Sequence, residues 1–410
     1  MPPMHPNPAP HPAPGHIASP ATGPAADVAD DLPLLSRETW AVPGGHRLLL
    51  TQHGRADGLP VLVLHGGPGS GCAPWLRRGF DAALYRVICL DQRGAGASQP
   101  AGATRHNSTA HLLADLRRLR RHLAVPRWLV VGGSWGATLA LAHVADQPEA
   151  AAGLLLRASF LARDADIADF FKRSTAHSDA ARAAWDVLAG LLPAASHQAL
   201  LPAIAAQLGV LDGDPSAAID GVADANPHAD PETSPDITPP PPTDAQRALA
   251  AAWWLWEQAL ASDSPAGLPP SGAALDLLVA RYRVQSHYLR HGCWLQQPSL
   301  LDLAGRLARA APALPMLLLH GTADRVCPPA GAALLHQHLP HSQLRWASGA
   351  GHGPSHPAMA ALFGQAVAGF ARTGDFSDAS HAAAQPSAAP GAIPGAIPGA
   401  APGAAPGQGA

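Results

Sequence analysis

Short apolar runs, set at intervals between helical patterns, constrain this chain more than any other feature. His46–His53 (HRLLLTQH), Val61–Leu64 (VLVL), Tyr85–Leu90 (YRVICL), Trp128–Val131 (WLVV), Gly153–Leu156 (GLLL), Met316–Leu319 (MLLL) and Gln343–Trp346 (QLRW) read as strands. Most are continuous rather than alternating, the pattern of a parallel sheet covered on both faces. Between them His111–Leu123 carries Leu112, Leu113, Leu116, Leu119 and Leu123 at helical spacing, and Ala137–Gln147 follows the fourth run. The fold class is therefore α/β, with a mostly parallel, doubly wound central sheet.

The alternation stops between about residues 161 and 310, where the pattern is helical, as in Ala180–Leu192 and Ala245–Leu260. A helical block inserted between two sheet strands predicts a cap over the carboxyl edge, where open α/β sheets bind ligands. The 44 prolines and 40 glycines concentrate outside these patterns. They mark a leader over 1–32, a Pro-rich loop over 212–243 and a Pro-Gly-Ala tail over 374–410, all expected to be disordered because they bury little apolar area. The expected organisation is a sheet domain over 33–160 and 311–373, with a cap over 161–310.

Charge excludes several function classes. A net charge of −3 gives no electrostatic footprint for nucleic acid or an anionic membrane. No apolar run reaches the roughly 20 residues of a membrane span. The first residues lack the basic and apolar regions of a secretory signal. Cys72, Cys89, Cys293 and Cys327 form no CxxC pair, which fits a reducing, cytoplasmic setting.

Three loops carry chemistry. Gly132-Gly133-Ser134-Trp135-Gly136 lies between a strand and a helix, a setting that puts a serine on a sharp elbow above the sheet. An ordinary tight turn would need the same small residues, so the motif alone is weak. His65-Gly66-Gly67-Pro68-Gly69-Ser70-Gly71 follows an earlier strand, where glycines let backbone N–H groups face an oxyanion. Its spacing matches neither phosphate-binding pattern, GxxxxGK[ST] or GxGxxG. The Trp135 N–H, next to the serine, is the second expected donor. A serine needs a base and an orienting carboxylate. Asp324 follows the MLLL strand and His352 follows QLRW, in the chain order Ser134, Asp324, His352 of an α/β-hydrolase triad. His336, His338 and His341 (HQHLPH) do not share a helix face and read as a solvated helix end, so no metal and no cofactor is expected.

These residues resemble the prolyl iminopeptidase family of α/β-hydrolases. The resemblance rests on HGGPGSG (65–71), DQRGAGAS (91–98), GGSWGATLAL (132–141), LLLRASF (154–160), HGTADRVCPP (320–329) and GAGHG (349–353). It implies a serine aminopeptidase that releases N-terminal proline from small peptides through an acyl-enzyme. Ser134 would be the nucleophile, His352 the proton shuttle and Asp324 its partner, with Gly67 and Trp135 donating to the oxyanion. The family's WxxWE motif falls within Trp253–Glu257, so Glu257 would hold the substrate's imino group. Without the resemblance the same glutamate reads as a surface charge on an amphipathic helix. Phe160, with Arg157 beside it, would line the proline pocket. The chain departs from the family at Gln285, neutral where a second amine-binding carboxylate is implied. That departure keeps open an esterase or amidase of the same fold acting on a different small acyl substrate. A non-catalytic binding protein is the third alternative, disfavoured by the intact Ser, Asp and His. Oligomeric state leaves no signature in the sequence.

Overall fold

The computed structural model describes residues 32–194, 200–210, 236–261 and 267–377. Eight strands form one sheet: β1 (Leu34–Val42), β2 (His46–Gly54), β3 (Leu59–Leu64), β4 (Tyr85–Leu90), β5 (Trp128–Gly133), β6 (Ala151–Arg157), β7 (Met316–Gly321) and β8 (Gln343–Ala347). Their spatial order is β1-β2-β4-β3-β5-β6-β7-β8. β1 and β2 are antiparallel to their neighbours, and every pairing from β4 to β8 is parallel.

The continuous apolar runs follow from the side-chain period of two. Leu62, Leu64, Val130, Leu154, Leu156 and Leu318 enter one core, while Val61, Val63, Leu129, Val131, Leu155, Leu317 and Leu319 enter the other. The first core is covered by α1 (Thr109–His122) and α2 (Trp135–Asp146), and the second by α10 (Pro357–Thr373). Each strand residue thus meets protein on whichever face it points to, and no polar alternation survives. β1 is the exception. Its burial alternates between exposed and half-buried positions, and Leu34 is 57% exposed. An edge strand with one open face lacks the continuous apolar signature, which is why sequence patterning passes over it.

Between β6 and β7 lie α3 (Asp164–Phe170), α4 (Asp179–Gly190), α5 (Leu200–Gln207), α6 (Asp244–Ala261), α7 (Ala273–Arg290) and α8 (Leu300–Ala310), with no strand among the described residues. The insertion adds aromatic side chains to the first core. Trp253 stacks on Tyr282 with centroids 4.3 Å apart, and Trp185 meets Trp256 edge-on at 5.2 Å. α8 instead packs on α2 and on α9 (Pro329–His338), so it joins the helix layer of the sheet although it precedes residue 311.

Two boundaries also differ from expectation. Leu32, at the end of the expected leader, is buried in the second core. Phe376, inside the expected tail, is buried beside Phe370 and accepts a hydrogen bond from Arg345 at its carbonyl. A large apolar side chain two residues past the left-handed Gly374 cap extends the fold to that point. Residues 1–31 of the leader, 212–235 of the Pro-rich loop and 378–410 of the tail lie outside the described residues. All four cysteines are free thiols. No helix among the described residues is long and apolar enough to cross a membrane.

Candidate active site

Every candidate residue of the sheet domain lies at the carboxyl edge or in the loops leaving it. β5 ends at Gly133, and α2 begins at Trp135. Ser134, between them, has φ 57° and ψ −126°. Such a conformation costs a non-glycine residue about 1–3 kcal/mol and persists only where its surroundings impose it. Those surroundings are explicit. The Ser134 N–H donates to the Arg157 carbonyl at 2.9 Å, and its own carbonyl accepts from Ala137 at 2.9 Å. A Cβ on Gly136 would stand 2.1 Å from the Leu64 carbonyl oxygen, and one on Gly132 2.0 Å from that of Gly136. Only glycines let β3, β5 and α2 approach this closely.

The glycine-rich loop after β3 is braced from β4. His65, fully buried, donates from Nδ1 to the Gly66 carbonyl at 2.9 Å and accepts at Nε2 from the Gln92 N–H at 3.0 Å. Burial holds its pKa below the ordinary histidine value, so the ring is neutral, as one donor and one acceptor nitrogen require. Gln92 spans to the elbow, its side-chain amide donating to the His65 carbonyl at 3.0 Å and accepting from Trp135 Nε1 at 2.9 Å. Asp91 ties the end of this loop to the loop after β4, accepting from the N–H groups of Cys72 at 2.6 Å and Ala97 at 2.8 Å. Trp135 is thus tied through Gln92 to His65, two residues before Gly67, whose φ is +115°.

Asp324 and His352 meet across two loops, His352 Nδ1 standing 2.9 Å and 3.1 Å from the two carboxylate oxygens. Asp324 is buried and also accepts from the N–H groups of Val326 at 3.0 Å and Cys327 at 2.9 Å. Burial raises its pKa, but the attraction and hydrogen bond of His352, the nearby His320 and the Cys327 N–H outweigh it, leaving the carboxyl below its ordinary value. An anionic acceptor on Nδ1 fixes the imidazole tautomer and leaves Nε2 for proton transfer.

Arg157 reaches from the serine elbow to the histidine loop. Its carbonyl receives the Ser134 N–H, its guanidinium lies 2.6 Å from where a Gly133 Cβ would be, and Nη1 donates to the His352 carbonyl at 2.8 Å. One buried side chain thus spans from the elbow to the histidine loop. Phe160 is half-buried against the first core, and its carbonyl accepts from the Thr138 hydroxyl at 2.5 Å.

Above the edge, Glu257 of α6 faces α7. Its Oε1 accepts from Gln285 Nε2 at 2.7 Å, and its Oε2 from Arg281 Nη2 and the Tyr282 hydroxyl, each at 2.8 Å. Glu257 and Gln285 are therefore brought together, as the resemblance implied. Arg281 and Tyr282 complete the group and were not foreseen. The available signal was the four-residue spacing of Arg281 and Gln285, which puts both on one helix face. Both helices seat on the reactive edge. A Cβ on Gly69 would lie 2.7 Å from the Arg281 carbonyl oxygen, and one on Gly351, beside His352, 2.9 Å from that of Ala261. His336, by contrast, hydrogen-bonds Ser342 at 2.8 Å, and no metal-ligand cluster occurs among the described residues.

A left-handed serine elbow and a carboxylate-bound histidine on one edge of such a sheet define the class, the α/β hydrolase fold, and residues 60–356 match that family. A proline iminopeptidase of Xylella fastidiosa is 35% identical over 322 residues, 77% of this chain and 90% of that protein. Proline iminopeptidases of Xanthomonas citri and Arabidopsis thaliana are each 34% identical, over 80% and 77% of this chain and 93% and 74% of theirs. The chain belongs to the proline iminopeptidase family of α/β hydrolases.

Proposed function

We propose that this chain is a serine aminopeptidase that releases N-terminal proline from small peptides. The observation that carries the reading is the buried Asp324 holding His352 at Nδ1, on the sheet edge that also bears the Ser134 elbow. Ser134 attacks the scissile carbonyl while His352 takes its proton, then returns it to the leaving amine. The N–H groups of Gly67 and Trp135 receive the oxyanion, and water resolves the acyl-enzyme by the same route in reverse. Glu257 and Gln285 face the imino group, and Phe160 lines the ring pocket. That the relatives are proline iminopeptidases supports proline as the acyl residue, and the free thiols suit a cytoplasmic setting.

The test is paired. A fluorophosphonate probe should label wild type at Ser134 and leave Ser134→Ala unlabelled, and Pro-β-naphthylamide should be hydrolysed only by the wild type. Labelling with no hydrolysis of any prolyl substrate removes the aminopeptidase reading and leaves an esterase or amidase. That second reading is favoured by one observation, the guanidinium already bound to Glu257.

A further inference from the structure

Gln92 lies just past the end of β4, yet it holds the loops that leave two other strands. In the order β4-β3-β5, β3 runs into the glycine-rich loop and β5 into the serine elbow. Gln92 is itself well anchored. It is buried, its carbonyl accepts from the Ala95 N–H at 3.0 Å, and the adjacent Arg93 is pinned by a buried ion pair with Asp115 at 2.6 Å. From that fixed point Nε2 donates to the His65 carbonyl at 3.0 Å, and Oε1 accepts from Trp135 Nε1 at 2.9 Å. The two partners demand opposite polarity, a donor toward one and an acceptor toward the other, and a primary amide supplies both.

Each hold lies close to an oxyanion donor. The Gln92 N–H fixes the His65 ring at Nε2, and Nδ1 of that ring grips the Gly66 carbonyl at 2.9 Å, which also accepts from Ser70 at 3.3 Å. The Gly66 carbonyl and the Gly67 N–H belong to one planar trans peptide unit and point in opposite directions, so gripping the first aims the second. On the other side Trp135 opens α2, and its N–H has no acceptor within the helix. Its buried indole is held between Gln92 and Tyr288, the latter edge-on with centroids 5.0 Å apart.

We propose that Gln92 is a positioning residue of the oxyanion hole: bonded to His65 on one side and to Trp135 on the other, it fixes the separation and direction of the Gly67 and Trp135 N–H groups. The inference rests on the proposed function for the assignment of those two donors. Oxyanion donors act on the tetrahedral state far more than on the bound substrate, so displacing them lowers kcat and spares KM.

The experiment measures kcat and KM for Pro-β-naphthylamide, with inhibition by pyrrolidine-2-boronic acid and by free proline. With the boronic acid, the Ser134 oxygen bonds to boron and its proton passes to His352, giving a tetrahedral adduct with an oxygen in the hole. Proline forms no such bond. Gln92→Met, similar in length but without the amide, should lower kcat and boronate affinity alike by about 10- to 100-fold, with KM and proline affinity changed less than about threefold. Gln92→Glu keeps the shape, and only its protonated carboxyl offers both a donor and an acceptor. Its kcat relative to wild type should approach one at low pH and fall reversibly as the carboxyl, its pKa raised by burial, ionises. Asp91 and the Arg93–Asp115 pair beside it are common to both proteins, so the ratio isolates the new group; packing alone would leave it flat. A Gln92→Met protein with kcat within about threefold of wild type, or with boronate and proline binding weakened equally, overturns the proposal. Where that variant does not fold, a pH-independent ratio for Gln92→Glu overturns it. If wild type leaves prolyl naphthylamides intact, the aminopeptidase reading fails, and the same kcat comparison with p-nitrophenyl acetate still decides the role of Gln92.

Discussion

Replacing Arg157 by methionine separates two roles for one side chain. Methionine keeps most of the buried volume but removes the guanidinium, and with it the 2.8 Å hydrogen bond to the His352 carbonyl. The bond from Ser134 to the Arg157 carbonyl is made by backbone and survives. A hydrogen bond to a charged group contributes about 1.5–3 kcal/mol net, which bounds the stability loss. The loss should fall near the lower end, because removing Arg157 also removes a charge whose burial is unfavourable and lowers its own pKa, with only partial compensation from Asp324. The catalytic consequence is larger than this energy suggests. Freeing the histidine loop misplaces Nε2 relative to the serine, and an error of about 1 Å can reduce turnover on the order of 100-fold. The expected result is a kcat 10- to 100-fold lower, roughly, with KM nearly unchanged and slower fluorophosphonate labelling of Ser134. Steady-state kinetics on Pro-β-naphthylamide and a thermal melt measure both parts. A raised KM with normal kcat and normal labelling would refute the brace and return Arg157 to the substrate pocket.

Other outcomes follow from the same geometry. Ser134→Gly should abolish hydrolysis yet raise the melting temperature by about 1–2 °C, since relief of the φ 57° backbone exceeds glycine's added chain entropy. Asp324→Asn should lower kcat by about 10³–10⁴, because an amide no longer enforces the tautomer that leaves Nε2 basic. Asp324 is held below its unfolded value, so its contribution to stability is complete above about pH 4 and is lost as pH falls through the folded pKa. Acid denaturation of Asp324→Asn should lack that component. His143 acts at higher pH: burial lowers it to about 4, so its neutral form stabilises fully above about pH 6.5 and progressively less down to pH 4. His143→Leu should flatten the stability profile across that window by about 2–4 kcal/mol, measured by urea unfolding at pH 7 and 4.5.

Legibility in the sequence followed the range of the interaction. Strands buried on two faces announce themselves within six residues, and Trp128–Val131 lies inside β5 as found. β1 was missed because its partner β2 covers only its edge, and half its side chains face solvent. The elbow, the acid and the histidine were legible because each follows its strand directly. The Glu257–Arg281 pair was not, since it joins α6 to α7 and depends on how two helices cross. The placement of Arg157 was hidden for the same reason, as its partner His352 is 195 residues away.

The seating of α6 and α7 on the loops of the sheet edge has a thermodynamic consequence. At Gly69, Gly94 and Gly351 the helices pack where a single methyl group would collide. Helix and loop therefore share van der Waals surface without an intervening water layer, and neither can separate alone without opening apolar area. The inserted helices and the reacting edge should melt as one cooperative unit, so that heat removes catalytic geometry and tertiary structure together. Variation in this fold is then freest at the distal ends of the inserted helices, and most restricted where they touch the glycines.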